Sequence, residues 1–400
     1  MRLIHTSDWH LGRSFHRVGL LDAQARYLDH LVEVVGTEGV DAVLVSGDVY
    51  DRALPSPDTV ELLSDAVTRL IDAGAAVILS SGNHDSAIRL GFASDLLARA
   101  GLHIRTSLDS VGTPVMIGDT AIYPLPYLEP ALAADRIGAD GRTHAAVLTA
   151  AMDRVRSDAR SRHGASVVMA HAFVTGGATS QSQRDISVGG VSAVHPEVFA
   201  GAHYVALGHL HGPQRISETI RYSGSPIALS FSEANHHKGS VLVDIPAGSL
   251  SAGSLSAECI PAPVARSLAI LRGDLEDLLG DPRHRAAESA YCQITLTDTL
   301  RPLGAMERLR RRFPDTLVLA FDPMGAQVIP RTSAASVRQR GDLDLCCDFL
   351  SHVRAGNAAS ERERALLATA VECSRVARGE REDEGGATGV FDANARTGAA

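Results

Sequence analysis

An α/β fold is predicted by two features of the N-terminal half. Short apolar runs alternate with segments of helical period, and each run ends in a polar, often glycine-containing turn, where α/β sheets bind ligands. Composition agrees: 400 residues, 45% apolar and 21% charged, suffice for a core and two to three domains. In order, Leu3–Thr6 is an apolar strand, and an amphipathic helix is expected near 20–35 with Leu21, Ala25, Leu28, Val32 and Val35 on one stripe. Asp41–Ser46 is a buried-strand run. Ser56-Pro57 opens the next helix, with a capping residue followed by proline in the first turn. Val60, Leu63, Val67, Leu70 and Ile71 line it, and Gly74 closes it. Ala76–Ser80, Ser166–Ala170 and His203–Leu207 are further strands.

The rest of the chain changes character after Val243. Residues 246–254 are rich in glycine and serine, as in a hairpin tip or loop. Strand, helix and strand are then expected at 290–296, 305–313 and 316–320, forming a small α+β domain. A polar linker follows Pro330. Next comes a helix near 342–355 with Leu345, Phe349, Leu350 and Val353 on one face, and a second starting at the Ser360/Glu363 capping box. The domain reading is 1–245, 262–330, a helical segment at 340–378, and a disordered tail at 379–400.

Charge and cysteine usage narrow the function. The 38 basic and 47 acidic residues leave a net charge of -9, which argues against a broad non-specific nucleic-acid binder but permits a local phosphate-binding cleft. Five unpaired, scattered cysteines suit neither a disulfide framework nor a structural zinc site. Apolar runs fall short of the roughly 20 residues of a membrane span, and the N-terminus lacks a signal-peptide pattern, so a cytoplasmic protein that does not engage a membrane is expected. Of the 17 histidines, 15 precede residue 240, which places metal chemistry in that part. Lysine occurs once, at Lys238.

The polar strand ends, in order, are Asp8-Trp9-His10, Gly47-Asp48, Gly82-Asn83-His84-Asp85, His171 and Gly208-His209-Leu210-His211. Each alone means little; five in series point to a two-metal site. The candidate ligands are Asp8, His10, Asp48, Asn83, His171, His209 and His211. Mixed oxygen and imidazole donors suit Mn, Fe or Zn. Residues two apart at an extended strand end face the same way. Asp48, the middle carboxylate, is the natural bridge between two ions. His84 is placed to pass a proton to a leaving oxygen. Trp9 reads as core packing, and Asp51 and Asp85 as turn or supporting groups.

This series resembles the signature of the calcineurin-like metallophosphoesterases. Thr6–Gly12, Ser46–Asp51, Ser81–Asp85, Ala206–His211, Tyr222–Ile227 and Ser230–Glu233 are further similar to the bacterial SbcD nuclease subunits. The resemblance is dense over residues 1 to about 245 and weaker beyond. It implies a four-layer α/β/β/α sandwich, a DNA-capping domain and C-terminal helices that grip an SbcC ATPase. It also implies a homodimer through the N-terminal domain within a heterotetramer, and two divalent ions, Mn2+ preferred. The implied activities are 3′ exonuclease action on duplex DNA, single-strand endonuclease action and hairpin opening, in DNA repair, recombination and replication. By the same resemblance Asp8, His10, Asp48 and His211 hold one ion, Asp48, Asn83, His171 and His209 the other, and His84 serves the leaving oxygen. Arg13, Arg52 and Arg89 lie beside these turns as candidate DNA contacts. Arg52 also gives Gly-Asp-Val-Tyr-Asp-Arg, similar to a phosphoprotein phosphatase motif, so a phosphatase or small-molecule phosphodiesterase is the alternative.

Overall fold

A computed structural model describes residues 1–182, 193–246, 255–323, 341–354 and 358–384. The chain divides into two units, Met1–Ala269 and Ile270–Ala400.

The first unit starts with β1 (Arg2–Thr6), a short ribbon of β2 (Ser14–Phe15) and β3 (Val18–Gly19), and α1 (Leu21–Glu38). It continues through β4 (Ala42–Ser46), α2 (Pro57–Asp72), β5 (Ala76–Ser80), the single-turn helices α3 (Ala87–Leu90) and α4 (Ser94–Leu97), and β6 (Leu102–Arg105). Then come β7 (Val115–Ile117), β8 (Thr120–Pro124), α5 (Pro130–Ile137), α6 (His144–Ala159), β9 (Ser166–His171) and β10 (Tyr204–Gly208). β11 (Gln214–Arg215), β12 (Ile220–Tyr222), β13 (Gly239–Asp244) and β14 (Ser256–Pro261) complete it.

These strands make two six-stranded sheets, ordered β14-β13-β1-β4-β5-β6 and β11-β12-β10-β9-β8-β7. β1, β4, β5 and β6 run parallel, as do β8, β9, β10 and β12. Parallel strands covered on both faces need continuous apolar sequence, and β4 is buried at every residue. The sheets face each other through Leu3, Leu44 and Ile78 on one side and Ile122, Val167, Met169 and Tyr204 on the other. Outside the second sheet, Val147, Leu148 and Met152 of α6 pack on the layer containing Tyr123, Val168 and Val205. Outside the first, Tyr27 of α1 bonds Thr6 of β1 through its hydroxyl at 2.8 Å, and α2 lies against β5. The result is an α/β/β/α sandwich.

Several expectations are refined. The buried face of α1 is Gln24, Tyr27, Leu28, Leu31, Val34 and Val35; Leu21, Ala25 and Val32 sit at its margins. Val60 of α2 is 44% exposed. The first unit also continues past residue 245, because β14 pairs with β13 from Gly239↔Pro261 to Asp244↔Ser256. Most residues of β14 are exposed, so it has no apolar alternation to announce it. The 247–254 part of the Gly/Ser stretch lies outside the described residues.

His5 joins the two sheets. Its Nδ1 accepts from the Tyr204 hydroxyl at 2.9 Å, and its Nε2–H donates to the Leu207 carbonyl at 3.1 Å. Burial pushes its pKa down to about 4. In the unfolded chain it titrates near 6.5, so the unfolded state binds more protons between those values and stability falls as pH falls through that window. A shift of this size corresponds to about 3 kcal/mol. The midpoint of urea unfolding is expected to drop from pH 6.5 to 4 less steeply in His5→Gln than in the wild type. Identical slopes would remove His5 as the source.

The second unit contains β15 (Leu268–Gly273), α7 (Leu275–Gly280), β16 (Tyr291–Leu296), α8 (Ala305–Arg312) and β17 (Thr316–Phe321). The strands form a three-stranded sheet, β15-β16-β17, with β16 and β17 parallel. Cys292, Ile294 and Leu296 are buried on alternate positions of β16, the period-2 pattern of a half-buried strand. The arginines of α8 are engaged within the unit: Arg308 with Glu276, Arg311 with Glu307 and Arg312 with Glu288. Two helices follow, α9 (Asp342–Val353) and α10 (Glu361–Glu384). They are linked by Arg354–Glu363 and Arg364–Asp344 ion pairs. The capping box forms: Ser360 N–H donates to Glu363 Oε2 at 2.9 Å, and Glu363 N–H to Ser360 Oγ at 3.4 Å. α10 runs to Glu384, so the boundary expected at residue 379 falls inside it. The linker at 324–340 and residues 385–400 lie outside the described residues. Among the described residues, no helix is long and apolar enough to cross a membrane.

Candidate metal centre

The strand-end turns of both sheets meet at one place. Asp8 and His10 follow β1, Asp48 follows β4, Asn83 and His84 follow β5, His171 closes β9, and His209 and His211 follow β10. The backbone there is unusual. Asp8, His10, Asp48 and His209 have positive φ, at 53°, 43°, 50° and 101°, a region costly for residues with a Cβ. Tight turning is helped by Gly47, at φ 84°, and by Gly208, where an added Cβ would run into the Ser46 carbonyl. The turns interlock: Asp8 N–H donates to the Gly47 carbonyl at 3.1 Å, and His10 N–H to the Asp48 carbonyl at 2.9 Å.

The side chains converge in three overlapping groups: Asp8, His10 and His211; His10, Asp48 and His84; and Asp8, Asp48 and His171. Asp48 Oδ2 lies 3.6 Å from His10 Nε2 and 3.4 Å from His171 Nε2. Asn83 Oδ1 is 2.9 Å from His171 Nε2. The His209 ring stands 5.3 Å from that of His171, centroid to centroid, and its backbone N–H donates to the Asp8 carboxylate. All seven expected ligand positions and His84 therefore share one neighbourhood. His84 Nδ1–H donates to the Asp51 carbonyl at 2.8 Å, which turns Nε2 away from that bond. Its backbone N–H donates to Asp48 Oδ1 at 2.9 Å.

The donor set fits a cation. His10 Nε2 and His211 Nε2 are 3.1 Å apart in a buried site, so two imidazole edges crowd together beside the Asp8 and Asp48 carboxylates. Electrostatics agree. Burial opposes the charge on Asp48, yet His171, His10 and His84 hold its carboxyl well below the usual range. Burial likewise disfavours charge on His171, yet Asp48 and Asp8 raise it to about 9. Burial and the neighbouring His171 push His209 down to about 3. The carboxylates thus draw positive charge into a space that can hold only part of it as protons, and a divalent ion meets the same demand.

Supporting groups surround this cluster. Asp85 accepts from the backbone N–H of Val49, Tyr50 and Gly82, tying two turns together as a turn residue should. Trp9 is 1% exposed and donates to Thr6, in keeping with core packing. Arg13 donates to Asp51 Oδ1 at 3.1 Å and to the Ser182 carbonyl at 2.8 Å. Arg52 is 79% exposed and lies 3.7 Å from Asp51, and Arg89 donates to the Ala53 carbonyl. Sequence reasoning gave no role to Ser182, Glu233 or Lys238, which contact His211 directly. The signal available was Lys238 itself. The single lysine of an arginine-rich chain has a side chain only 7% exposed, 2.6 Å from Glu233.

Comparison with known proteins agrees with this geometry. The calcineurin-like phosphoesterase family matches residues 1–213, which spans all of the converging turns. The SbcD C-terminal family, described as the type 5 capsule protein repressor C-terminal domain, matches residues 264–354. A hydrolase fold for phosphoesters, with a His/Asp cluster suited to divalent metal, is followed by a domain typical of SbcD. The chain belongs to the calcineurin-like phosphoesterase family and is SbcD-like.

Proposed function

We propose that this chain is the nuclease subunit of an SbcCD-type complex, hydrolysing phosphodiester bonds of DNA with two divalent ions, Mn2+ preferred. The observation that carries the reading is Asp48, whose carboxylate lies between His10 on one side and His171 on the other. One ion position is Asp8, His10, Asp48 and His211; the other is Asp48, Asn83, His171 and His209. When bound, such ions polarise a phosphoryl group and lower the pKa of water. The protein's own groups do the rest. The interlocked turns fix ligand directions, and Asp51 holds the His84 ring so that Nε2 can deliver a proton to the leaving 3′ oxygen. Arg52 and Arg89, at the rim, are proposed DNA-phosphate contacts. Arg13 acts from inside, through Asp51.

Assembly belongs to the same reading. Leu54, Val60, Ile88, Phe92 and Leu96 are each exposed along the segment that carries α2, α3 and α4, and exposed apolar side chains suit an interface; a homodimer through these helices is proposed. Phe349, Val353 and Leu366 are exposed on α9 and α10 and are proposed to dock on the SbcC ATPase, giving a cytoplasmic heterotetramer that acts in DNA repair, recombination and replication.

The test offers the purified chain with Mn2+ an end-labelled duplex, a DNA hairpin and a phosphopeptide. Shortening of the duplex from its 3′ ends and hairpin opening, with the phosphopeptide intact, are expected. Phosphopeptide turnover with intact DNA would sink the nuclease reading in favour of a phosphatase that uses Arg52.

A further inference from the structure

Two imidazoles of the first ion position, His10 and His211, face each other through Nε2. The groups behind their far nitrogens, Nδ1, meet at one residue, Ser182. Behind His211, Nδ1–H donates to Ser182 Oγ at 2.6 Å. The Ser182 hydroxyl in turn donates to Glu233 Oε1. Glu233 is 1% exposed, and its other oxygen accepts from Lys238 Nζ at 2.6 Å and Leu229 N–H at 3.0 Å. Lys238 also donates to the His211 carbonyl at 2.7 Å, so ring and backbone of the same ligand are tied to one ion pair. Behind His10, Asp51 Oδ1 lies 3.5 Å from Nδ1, close enough for charge contact but without a hydrogen bond. Arg13 fixes Asp51 with one guanidinium nitrogen and takes the Ser182 carbonyl with the other.

We propose that Ser182 is a positioning residue of one metal position: its hydroxyl, with Glu233, sets the His211 imidazole, and its carbonyl, through Arg13, holds the Asp51 carboxylate beside His10. The assignment rests on the two-metal reading above. Its physical basis is tautomer control. A histidine whose Nδ1–H is committed to an acceptor presents the Nε2 lone pair, and loss of such an outer partner costs about 10- to 100-fold in metal affinity. The Lys238–Glu233 pair makes the support asymmetric. Lys238 offsets the Glu233 charge, so this carboxylate acts as an anchored hydrogen-bond acceptor without adding a net negative charge beside the ions. At the second position, His171 is held by the Ser46 carbonyl, Asn83 and Asp48, and the His209 backbone by Asp8.

The experiment measures Mn2+ binding to the full chain by calorimetry and equilibrium dialysis, with electron paramagnetic resonance as the second readout. In Ser182→Ala, one of two affinities is expected to fall about 10- to 100-fold while the other holds, and a single-ion signal should replace the spin-coupled pair at limiting metal. Ser182→Thr, which keeps the hydroxyl, should restore the coupled signal. Glu233→Gln should act like Ser182→Ala; should it fail to fold, the two serine variants decide. Two ions in the wild type with both affinities kept in Ser182→Ala overturn this assignment alone. Fewer than two ions in the wild type overturn the two-metal reading, and this assignment with it.

Discussion

Replacing His84 with alanine is expected, on the proposed two-metal nuclease reading, to slow DNA cleavage by about 10²- to 10⁴-fold, the range of a positioned general acid, with metal content unchanged. The separation of effects follows from geometry. The His84 ring is anchored on the Asp51 carbonyl and packs edge-on against His10 at 4.7 Å. The contact from residue 84 to Asp48 is made by its backbone N–H, which alanine keeps. Metal content by elemental analysis should match the wild type, and single-turnover cleavage of an end-labelled duplex should give the rate. If the variant cuts at the wild-type rate, the leaving oxygen is served by another group.

A larger loss is expected from Asp48→Asn. This carboxylate is buried between His10 and His171 and supplies the negative charge that both imidazole groups face. Removing it forfeits several kcal/mol of charge stabilisation, and at 1.36 kcal/mol per tenfold the rate should fall by at least about 10³-fold. Metal content should fall with it, unlike the His84 variant. Asparagine tolerates the left-handed backbone that residue 48 adopts, so the fold should survive, which circular dichroism can verify. Two ions retained together with full cleavage in this variant would remove Asp48 as the bridge.

Legibility in the sequence varied with the physical origin of each feature. β4 and β5 were readable because a parallel strand buried on both faces must be apolar throughout. β8, α5 and α6 were not assigned from periodicity, and β14 carries no pattern because it is an exposed edge. The ligand turns were legible as a series since each sits at the end of such a strand and metal coordination restricts residue type. Glu233 and Ser182 escaped for the opposite reason. Their roles depend on which oxygen meets which nitrogen across gaps of 22 and 29 residues from His211, and neither residue type announces this. Arg13 sat beside a ligand turn as a candidate DNA contact, but its guanidinium faces Asp51 and Ser182, a direction that local sequence does not encode.

The positive φ angles of Asp8, His10, Asp48 and His209 also bear on how the protein survives without its ions. At about 1 kcal/mol each, these four residues subtract about 4 kcal/mol from a net folding stability that for a domain is typically only about 5–15 kcal/mol. The metal-free chain therefore lives nearer its melting point than a fold with so large a core requires. Ion supply would then govern the lifetime and abundance of the protein as well as its turnover.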